Sequence, residues 1–225
     1  MLRISARILL LCAVAMPLST QLLCGQGKKM ISEQIEWTWE VRPDNPQPQL
    51  PNVLLVGDSI TRNYYPDVTK DLAGKANVYL FSSSISVGDP RLPEQLKEFF
   101  ALEGKHFRVV HFNNGMHGWG YTEAEYKAAF PGFIRALRKG APRAKLIWAN
   151  TTPVKKDDSA WTSNARINAR NAIAASIVKQ QHIPIDDQHG IILQHPDMYS
   201  NNVHPNKEAS SIQGKQVAAE IEKLL

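Results

Sequence analysis

The chain has 225 residues, of which 43% are hydrophobic and 21% charged, and its formal net charge is +5 at pH 7. This length and composition suit one globular domain with a substantial core, which excludes a disordered or fibrous protein. The basic residues are scattered, without the basic run or basic helical face that marks nucleic-acid binding. We therefore expect no nucleic-acid partner.

The first 25 residues have the layout of a secretory signal peptide. Arg3 and Arg7 come first without any acidic residue, an apolar stretch covers residues 8–16, and a short mixed segment runs to Gly25. That stretch is too short to span a bilayer, which takes about 20 apolar residues. We expect cleavage near Gly25, export to the periplasm or the extracellular space, and no stable membrane insertion afterwards.

Both cysteines of the chain, Cys12 and Cys24, fall in this leader. The exported protein would then have neither a disulfide nor a catalytic thiol. Lipid attachment at Cys24 is the alternative to free export, and we disfavour it because Leu23 stands where a small residue is expected. Loss of Arg3 and Arg7 lowers the formal net charge by two, from +5 to +3.

Residues 26–50 are predicted to form an N-terminal extension that contains an edge strand. Ile35, Trp37, Trp39 and Val41 alternate with polar residues, which is the two-residue period of a half-buried strand. The two indoles either cover an edge of the sheet, the commoner role of large aromatic residues, or form a platform that stacks on a sugar. A proline-rich connector then leads to Pro51.

Residues 51–225 have the pattern of one α/β domain. Strand-like apolar segments begin at residues 53, 78, 109, 145 and 183. Helical segments follow at residues 64–72, 92–100, 122–140, 163–181 and 207–225. This alternation predicts a parallel five-stranded sheet with helices on both faces, joined by right-handed crossovers.

Ser59 stands where sheets of this kind carry their chemistry. The apolar run at residues 53–56 leads into Gly57-Asp58-Ser59, so Ser59 lies just beyond the carboxyl end of a buried strand. Free helix N–H groups at such a position favour developing negative charge. Taken alone, Ser59 fits a helix N-cap better than a nucleophile. A motif near the far end of the chain favours the nucleophile.

Two later segments carry a family resemblance. Asn201-Asn202-Val203-His204-Pro205 precedes the last helix, and the predicted strand at residues 109–112 runs into Asn113-Asn114-Gly115-Met116-His117-Gly118. With Gly57-Asp58-Ser59-Ile60 they resemble the SGNH, or GDSL-like, hydrolase family over nearly the whole exported chain. The resemblance implies a three-layer flavodoxin-like fold with strand order 2-1-3-4-5. It also implies an esterase with Ser59 as nucleophile and His204 as general base.

A serine hydroxyl is a weak nucleophile at neutral pH, so Ser59 needs a base within hydrogen-bond reach. The chain has seven histidines, and the six others lack the motif around His204. Pro205 disfavours helix at His204 and keeps its ring on the loop before the last helix. The alternative role of His204 is that of a simple helix-entry residue.

The partner of His204 departs from the family pattern. Where the family has an aspartate three residues before the histidine, this chain has Asn201. An amide oxygen can accept the imidazole N–H and orient the ring, but it stabilises an imidazolium less than a carboxylate does. A backbone carbonyl or Asp197 could serve instead. We therefore expect a catalytic set of Ser59, His204 and Asn201, and a slow enzyme.

The family resemblance implies an oxyanion hole with two backbone donors and one side-chain donor. The backbone N–H of Ser59 is the first. Gly88, in the loop after the second strand, corresponds to the family's second glycine, although it could equally be a turn residue. The spacing is one residue longer than usual, so Val87 could hold that position.

The side-chain donor in the family is an asparagine, and alignment through Gly115 puts His117 in its place. An imidazole N–H can donate as an amide does, but its charge depends on pH. Asn113 and Asn114 are the reserve candidates, and either could instead cap the strand end by bonding to nearby backbone.

These observations lead to two hypotheses. The first is an exported serine esterase that acts on a small acyl ester, such as an acetyl group on a carbohydrate. The second is a degenerate hydrolase that binds a glycan without cleaving it, motivated by Asn201 and by the His117-Gly118 ending of the third motif. Metal-ligand spacing and a phosphate-binding glycine loop are both missing from the sequence, so we expect no metal and no cofactor.

Overall fold

The computed structural model describes residues 29–104, 106–157 and 162–225. The predicted signal peptide, with Cys12 and Cys24, lies outside the described residues. The strands are β1 Thr38–Val41, β2 Asn52–Gly57, β3 Asn77–Ser83, β4 Phe107–Phe112, β5 Lys145–Ala149 and β6 Ile185–Asp186. The helices are α1 Ser59–Asp71, α2 Arg91–Glu103, α3 Glu123–Gly140, α4 Asn164–Gln180, α5 Gln188–Leu193 and α6 Lys207–Glu222.

These strands form one sheet in the order β1-β3-β2-β4-β5-β6. Strands β2 to β6 run parallel, in the predicted order 2-1-3-4-5, whereas β1 pairs antiparallel with β3. The prediction of a five-stranded sheet is therefore corrected by one strand. The added strand comes from the N-terminal extension and satisfies backbone groups that would otherwise be open along the edge of β3.

The sheet lies between two layers of helices. Along β2, Leu54 and Val56 face a core shared with α2, α3 and α4, while Val53 and Leu55 face a second core shared with α1 and α6. Because both faces are covered, the central strands are apolar throughout rather than alternating. This is the three-layer α/β arrangement that the sequence predicts.

Helix α1 begins earlier than the apolar pattern predicts, at Ser59 rather than near Tyr64. Its N-cap is Asp58, whose carboxylate accepts the N–H of Ile60 at 2.9 Å. A β-carbon at Gly57 would overlap Thr61, so a glycine is needed where the strand turns into the helix. Since Asp58 is the N-cap, Ser59 is the first residue of the helix, and its side chain is not needed for capping.

A closed loop precedes α6 and carries His204. Tyr199 and Pro205 form an isolated antiparallel bridge, and the N–H of Ser200 donates to the carbonyl of His204 at 2.9 Å. Asn206 then caps α6 by accepting the N–H of Ala209 at 2.9 Å. These contacts at both ends of the loop define the position of His204.

Candidate active site

Ser59 and His204 are in hydrogen-bond contact. The Ser59 Oγ atom lies 2.7 Å from the Nε2 atom of His204, and both residues are partly buried. As the first residue of α1, Ser59 has a backbone N–H that the helix itself does not use. A hydroxyl within reach of an imidazole at a helix N-terminus is an arrangement suited to nucleophilic attack.

The second nitrogen of His204 contacts Asn201. Its Nδ1 atom lies 3.2 Å from Asn201 Oδ1 and 3.1 Å from Asn201 Nδ2. Asn201 Oδ1 also accepts the backbone N–H groups of Val203 and His204, at 2.9 and 2.8 Å, which fixes the orientation of the amide. Among the described side chains, Asn201 rather than the exposed Asp197 lies against this nitrogen.

The surroundings of His204 favour the neutral imidazole. Burial lowers the pKa of His204, and the nearby charges of His117 and Arg62 lower it further, against the opposing effect of Asp58. A neutral ring at ordinary pH has a free lone pair for the Ser59 proton. His204 therefore has the contact that a general base needs, and its lowered pKa favours the neutral form that can accept a proton.

His117 lies in the same pocket. Ser59, His117, Asn201 and His204 all line a cavity of about 960 Å³. Its walls also include residues 31–34 of the N-terminal extension and residues 118–120 of the loop after β4. The topology thus brings together the candidates for the side-chain donor, the nucleophile and the base.

The partner of His117 is Glu33, which the sequence analysis missed. The His117 Nδ1 atom lies 2.9 Å from Glu33 Oε2, and Glu33 Oε1 accepts the N–H of Gly118 at 2.9 Å. The ring of Trp37 packs edge-on against His117, with centroids 6.0 Å apart. Glu33 belongs to no motif and lies in an irregular segment, so the sequence alone has no signal for this contact.

The two partners shift each other's pKa. Burial alone would lower the pKa of His117, but its hydrogen bond to Glu33 and the charges of Asp58, Glu33 and Glu36 raise it overall. Burial would raise the pKa of Glu33, but the bonds to His117 and Gly118 lower it overall. Both shifts favour an ion pair of imidazolium and carboxylate.

The two positions predicted for the second backbone donor, Gly88 and Val87, are not among the residues that line this cavity. Gly88 lines a separate pocket and packs against the ring of Tyr121, where a β-carbon would be only 2.6 Å from the nearest ring atom. The N–H of Val87, the alternative position, donates to Asn114 Oδ1 at 2.9 Å. Asn114 in turn donates from its amide to the Ile85 carbonyl at 2.9 Å. The longer loop after β3 is thus held by Tyr121 and Asn114.

The amide group of Asn113 is also occupied by hydrogen bonds to other parts of the fold. Its amide nitrogen donates to the Ala149 carbonyl at 2.7 Å and to Thr151 Oγ1 at 3.2 Å, which uses both of its hydrogens. Asn113 and Asn114 thus take the strand-end role that the sequence analysis kept as their alternative. Of the side-chain candidates, His117 is the one that lines the Ser59 pocket.

Arg170 of α4 holds the loop that carries His117, and sequence reasoning missed this role as well. Its side chain is 1% exposed. Its guanidinium donates to the carbonyls of Gly115 at 3.0 Å, His117 at 2.7 Å and Gly118 at 2.8 Å. Gly118 has a φ of 72°, a left-handed conformation that suits glycine. This loop geometry therefore depends on a buried cation from another layer of the fold.

No protein-family model and no curated protein matches the chain. Solved structures match it. It is similar to a GDSL-like lipase from Bacteroides thetaiotaomicron, with 17% identity and a TM-score of 0.60, over 80% of this chain and 92% of that one. It is also similar to a lipolytic G-D-S-L family protein from Veillonella parvula, with 18% identity and a TM-score of 0.58, over 77% and 99%.

A third similar structure is a carbohydrate esterase of family 3 from Talaromyces cellulolyticus, with 19% identity and a TM-score of 0.60, over 78% of this chain and 98% of that one. The fold of this chain is therefore the α/β fold of SGNH, or GDSL-like, hydrolases, as the sequence motifs predict. Among the helices that the structure describes, none is long and apolar enough to cross a membrane.

Proposed function

We propose that the protein is a serine esterase of the SGNH type. The observation that carries this proposal is the contact of 2.7 Å between Ser59 Oγ and His204 Nε2, inside a pocket that both residues line. The fold shared with GDSL-like hydrolases supports it, together with the sequence motifs by which Ser59 and His204 resemble that family's nucleophile and base.

The reaction proceeds through an acyl-enzyme. Ser59 Oγ attacks the ester carbonyl and gives its proton to His204 Nε2, while the backbone N–H of Ser59 and the side chain of His117 bind the developing oxyanion. Collapse of this intermediate breaks the ester C–O bond, and His204 returns the proton to the departing alcohol. Water then attacks the acyl group with His204 again as base, which releases the acid and restores Ser59.

The proposed substrate is a small acyl ester on a carbohydrate. Two structures with this fold are named a carbohydrate esterase of family 3 and an acetyl xylan esterase. A cavity of about 960 Å³ is wide enough for a sugar together with a short acyl group. Trp39, which is 52% exposed on the edge strand β1, offers an indole for stacking on a sugar.

Export to the periplasm or the extracellular space is part of the proposal, on the strength of the leader at residues 1–25. Amino-terminal sequencing of the protein recovered from culture medium or periplasm tests it. A mature amino terminus near residue 26 is expected, and retention of Met1 in a cytoplasmic fraction would contradict export.

Fluorophosphonate labelling tests the esterase proposal most directly, because the reagent modifies an activated serine. The wild-type protein should be labelled and should hydrolyse p-nitrophenyl acetate, whereas Ser59→Ala should lose both properties. Ser32→Ala is the matched control, since Ser32 lines the same pocket without being the residue that contacts His204, and it should still be labelled.

Labelling that persists in Ser59→Ala would rule out Ser59 as the nucleophile. Absence of both labelling and turnover in the folded wild-type protein would favour the second hypothesis, a glycan-binding module on the same fold. Asn201 in place of the family aspartate is the observation behind that alternative.

A further inference from the structure

We infer that Glu33 holds His117 as an imidazolium, and that the Nε2–H of this cation is the side-chain donor of the oxyanion hole. The site would then work with a charged His117 beside a neutral His204. The inference rests on the proposed esterase function. It extends that function by making Glu33, from the N-terminal extension, the residue that positions His117.

The geometry at His117 leaves one ring nitrogen for the substrate. A carboxylate can only accept, so the contact of 2.9 Å between His117 Nδ1 and Glu33 Oε2 is donated by Nδ1–H. Nε2 is then the remaining polar atom of a ring that lines the same cavity as Ser59. It donates to an oxyanion whenever the ring is protonated on both nitrogens.

The carboxylate of Glu33 is itself held in place. Its Oε1 atom accepts the N–H of Gly118 at 2.9 Å, so one carboxylate binds both the ring of His117 and the next backbone amide. The segment around it is anchored, because the N–H of Ile31 donates to the Tyr121 hydroxyl at 2.8 Å. Glu33 therefore fixes the position of the imidazole as well as its charge.

The charges around His117 favour the cation. Glu33 and Glu36 approach from the N-terminal extension and Asp58 from the start of α1, and together they raise the pKa of His117 against the effect of burial. Cationic groups are present too. Arg170 of α4 donates to the His117 backbone carbonyl at 2.7 Å, and His204, whose own pKa is lowered by the charges of His117 and Arg62, shares the pocket.

The surroundings thus shift the pKa values of the two histidines of the pocket in opposite directions. The pKa of His204 is lowered and that of His117 is raised, so a pH range exists in which the base is neutral and the donor is charged. Paired groups with diverging pKa values are typical of acid and base roles in one site. A charged donor also makes a hydrogen bond about twice as strong as a neutral one, which suits an oxyanion.

Titration of the histidine side chains by NMR tests the charge of His117 without reference to catalysis. His117→Asn identifies the His117 signals by their loss. In the wild-type protein the His117 ring should still be protonated at a pH where His204 is neutral, and Glu33→Gln should lower the pKa of His117 by about one unit or more. Glu94→Gln, which changes an exposed glutamate far from the pocket, should leave it unchanged.

The pH dependence of kcat then tests whether the charged donor is used. The wild-type profile should be bell-shaped, with activity lost at low pH as His204 is protonated and lost at high pH as His117 is deprotonated. Glu33→Gln should move the alkaline limb to lower pH and reduce kcat by about 10-fold or more. His117→Asn, which replaces the charged donor by an uncharged amide, should lower kcat and abolish the alkaline limb.

A His117 pKa that Glu33→Gln leaves unchanged would overturn the inference, whatever the activity. An alkaline limb that persists in His117→Asn would also overturn it. If His117 is cationic but fluorophosphonate does not label Ser59, the proposed esterase function fails while the Glu33–His117 pair stands. The two failures are thus distinguishable.

Discussion

Asn201 presents two opposite partners to the Nδ1 atom of His204. Its Oδ1 atom, at 3.2 Å, accepts from the tautomer that carries hydrogen on Nδ1, and its Nδ2 atom, at 3.1 Å, donates to the other tautomer. The second tautomer carries its hydrogen on Nε2, where it cannot accept the Ser59 proton. A carboxylate would stabilise only the productive form, so the amide orients the ring without selecting its tautomer.

We therefore predict that Asn201→Asp is a faster enzyme than the wild type. A carboxylate at this position would favour hydrogen on Nδ1 and stabilise the imidazolium, and kcat should rise by about 10-fold or more. The added negative charge also raises the pKa of His204, so the acidic limb of the pH profile should move to higher pH. Both effects are measured from kcat for p-nitrophenyl acetate as a function of pH.

Asn202→Asp is the matched control, because it adds the same charge one residue away in the same loop. Asn202 contacts residues 155 and 156 through its backbone carbonyl and its Oδ1 atom. If both variants change kcat equally, general electrostatics rather than tautomer selection would explain the gain. If Asn201→Asp is slower than the wild type, the amide is the better partner in this site.

At the scale of elements, the loop between β4 and α3 depends on α4. Arg166 and Arg170 lie one turn apart on α4, and both donate to carbonyls of this loop. The Arg170 guanidinium also lies 4.5 Å from the Trp119 ring centroid. A planar guanidinium can serve several carbonyls at once, which a single ammonium group cannot do. The position of His117 is therefore determined by packing between two layers.

Arg170→Lys should destabilise the protein and impair the site together. Several loop carbonyls would lose their buried donor, and we expect a loss of about 2–4 kcal/mol in the free energy of unfolding, measured by urea denaturation. The same variant should lower kcat by about 10-fold or more, because the oxyanion donor is no longer held. Arg135→Lys, at an exposed position of α3, should change the free energy of unfolding by less than about 0.5 kcal/mol. Equal stability of the two variants would show that the loop holds its shape without Arg170.

At the scale of the whole molecule, one buried polar cluster joins the sheet to the last helix. Asp186 of β6 accepts from His111 Nε2 of β4 at 2.9 Å, from Gln188 Nε2 at 2.9 Å and from Gln216 Nε2 of α6 at 2.6 Å. The side chains of His111 and Asp186 are both 0% exposed. This cluster fixes α6, the helix that follows the His204 loop, against strands β4 and β6 of the sheet.

Asp186→Ala should therefore be strongly destabilising. It removes the acceptor of three donors, of which His111 and Gln188 are buried, and we expect a loss of about 3–5 kcal/mol in the free energy of unfolding by urea denaturation. Asp71→Ala, at an exposed position of α1, serves as the control, with an expected change of less than about 0.5 kcal/mol. A loss below about 1 kcal/mol in Asp186→Ala would show that the cluster does not hold α6 on the sheet.

The pH dependence of this cluster follows from the same contacts. Burial would raise the pKa of Asp186, but its bonds to His111, Gln216 and Gln188 lower it overall. A carboxyl group with a lowered pKa contributes stability that is present above its unfolded pKa of about 3.9 and is lost as the pH falls through its folded pKa. The wild type should thus lose more stability than Asp186→Ala when urea denaturation is repeated from about pH 7 down to about pH 3.

Local sequence determined most of the framework. Apolar runs and helix periods predicted the five parallel strands and their flanking helices, and α3 begins with a local capping box of Thr122 and Glu125. Ser59 and His204 were identified from short motifs, although 145 positions separate them. Such features are determined by residues close together in the chain, so their pattern is visible without coordinates.

Tertiary structure alone decided how the site is completed. Glu33 reaches His117 across 84 positions and belongs to no motif, and Arg170 is one arginine among many until α4 packs beside the loop after β4. Asn113 and Asn114 were the reserve candidates for the side-chain donor, yet their amides bond to neighbouring strands and loops instead. A side chain's role depends on which partners the packed layers bring within hydrogen-bond distance, and one sequence does not specify those distances.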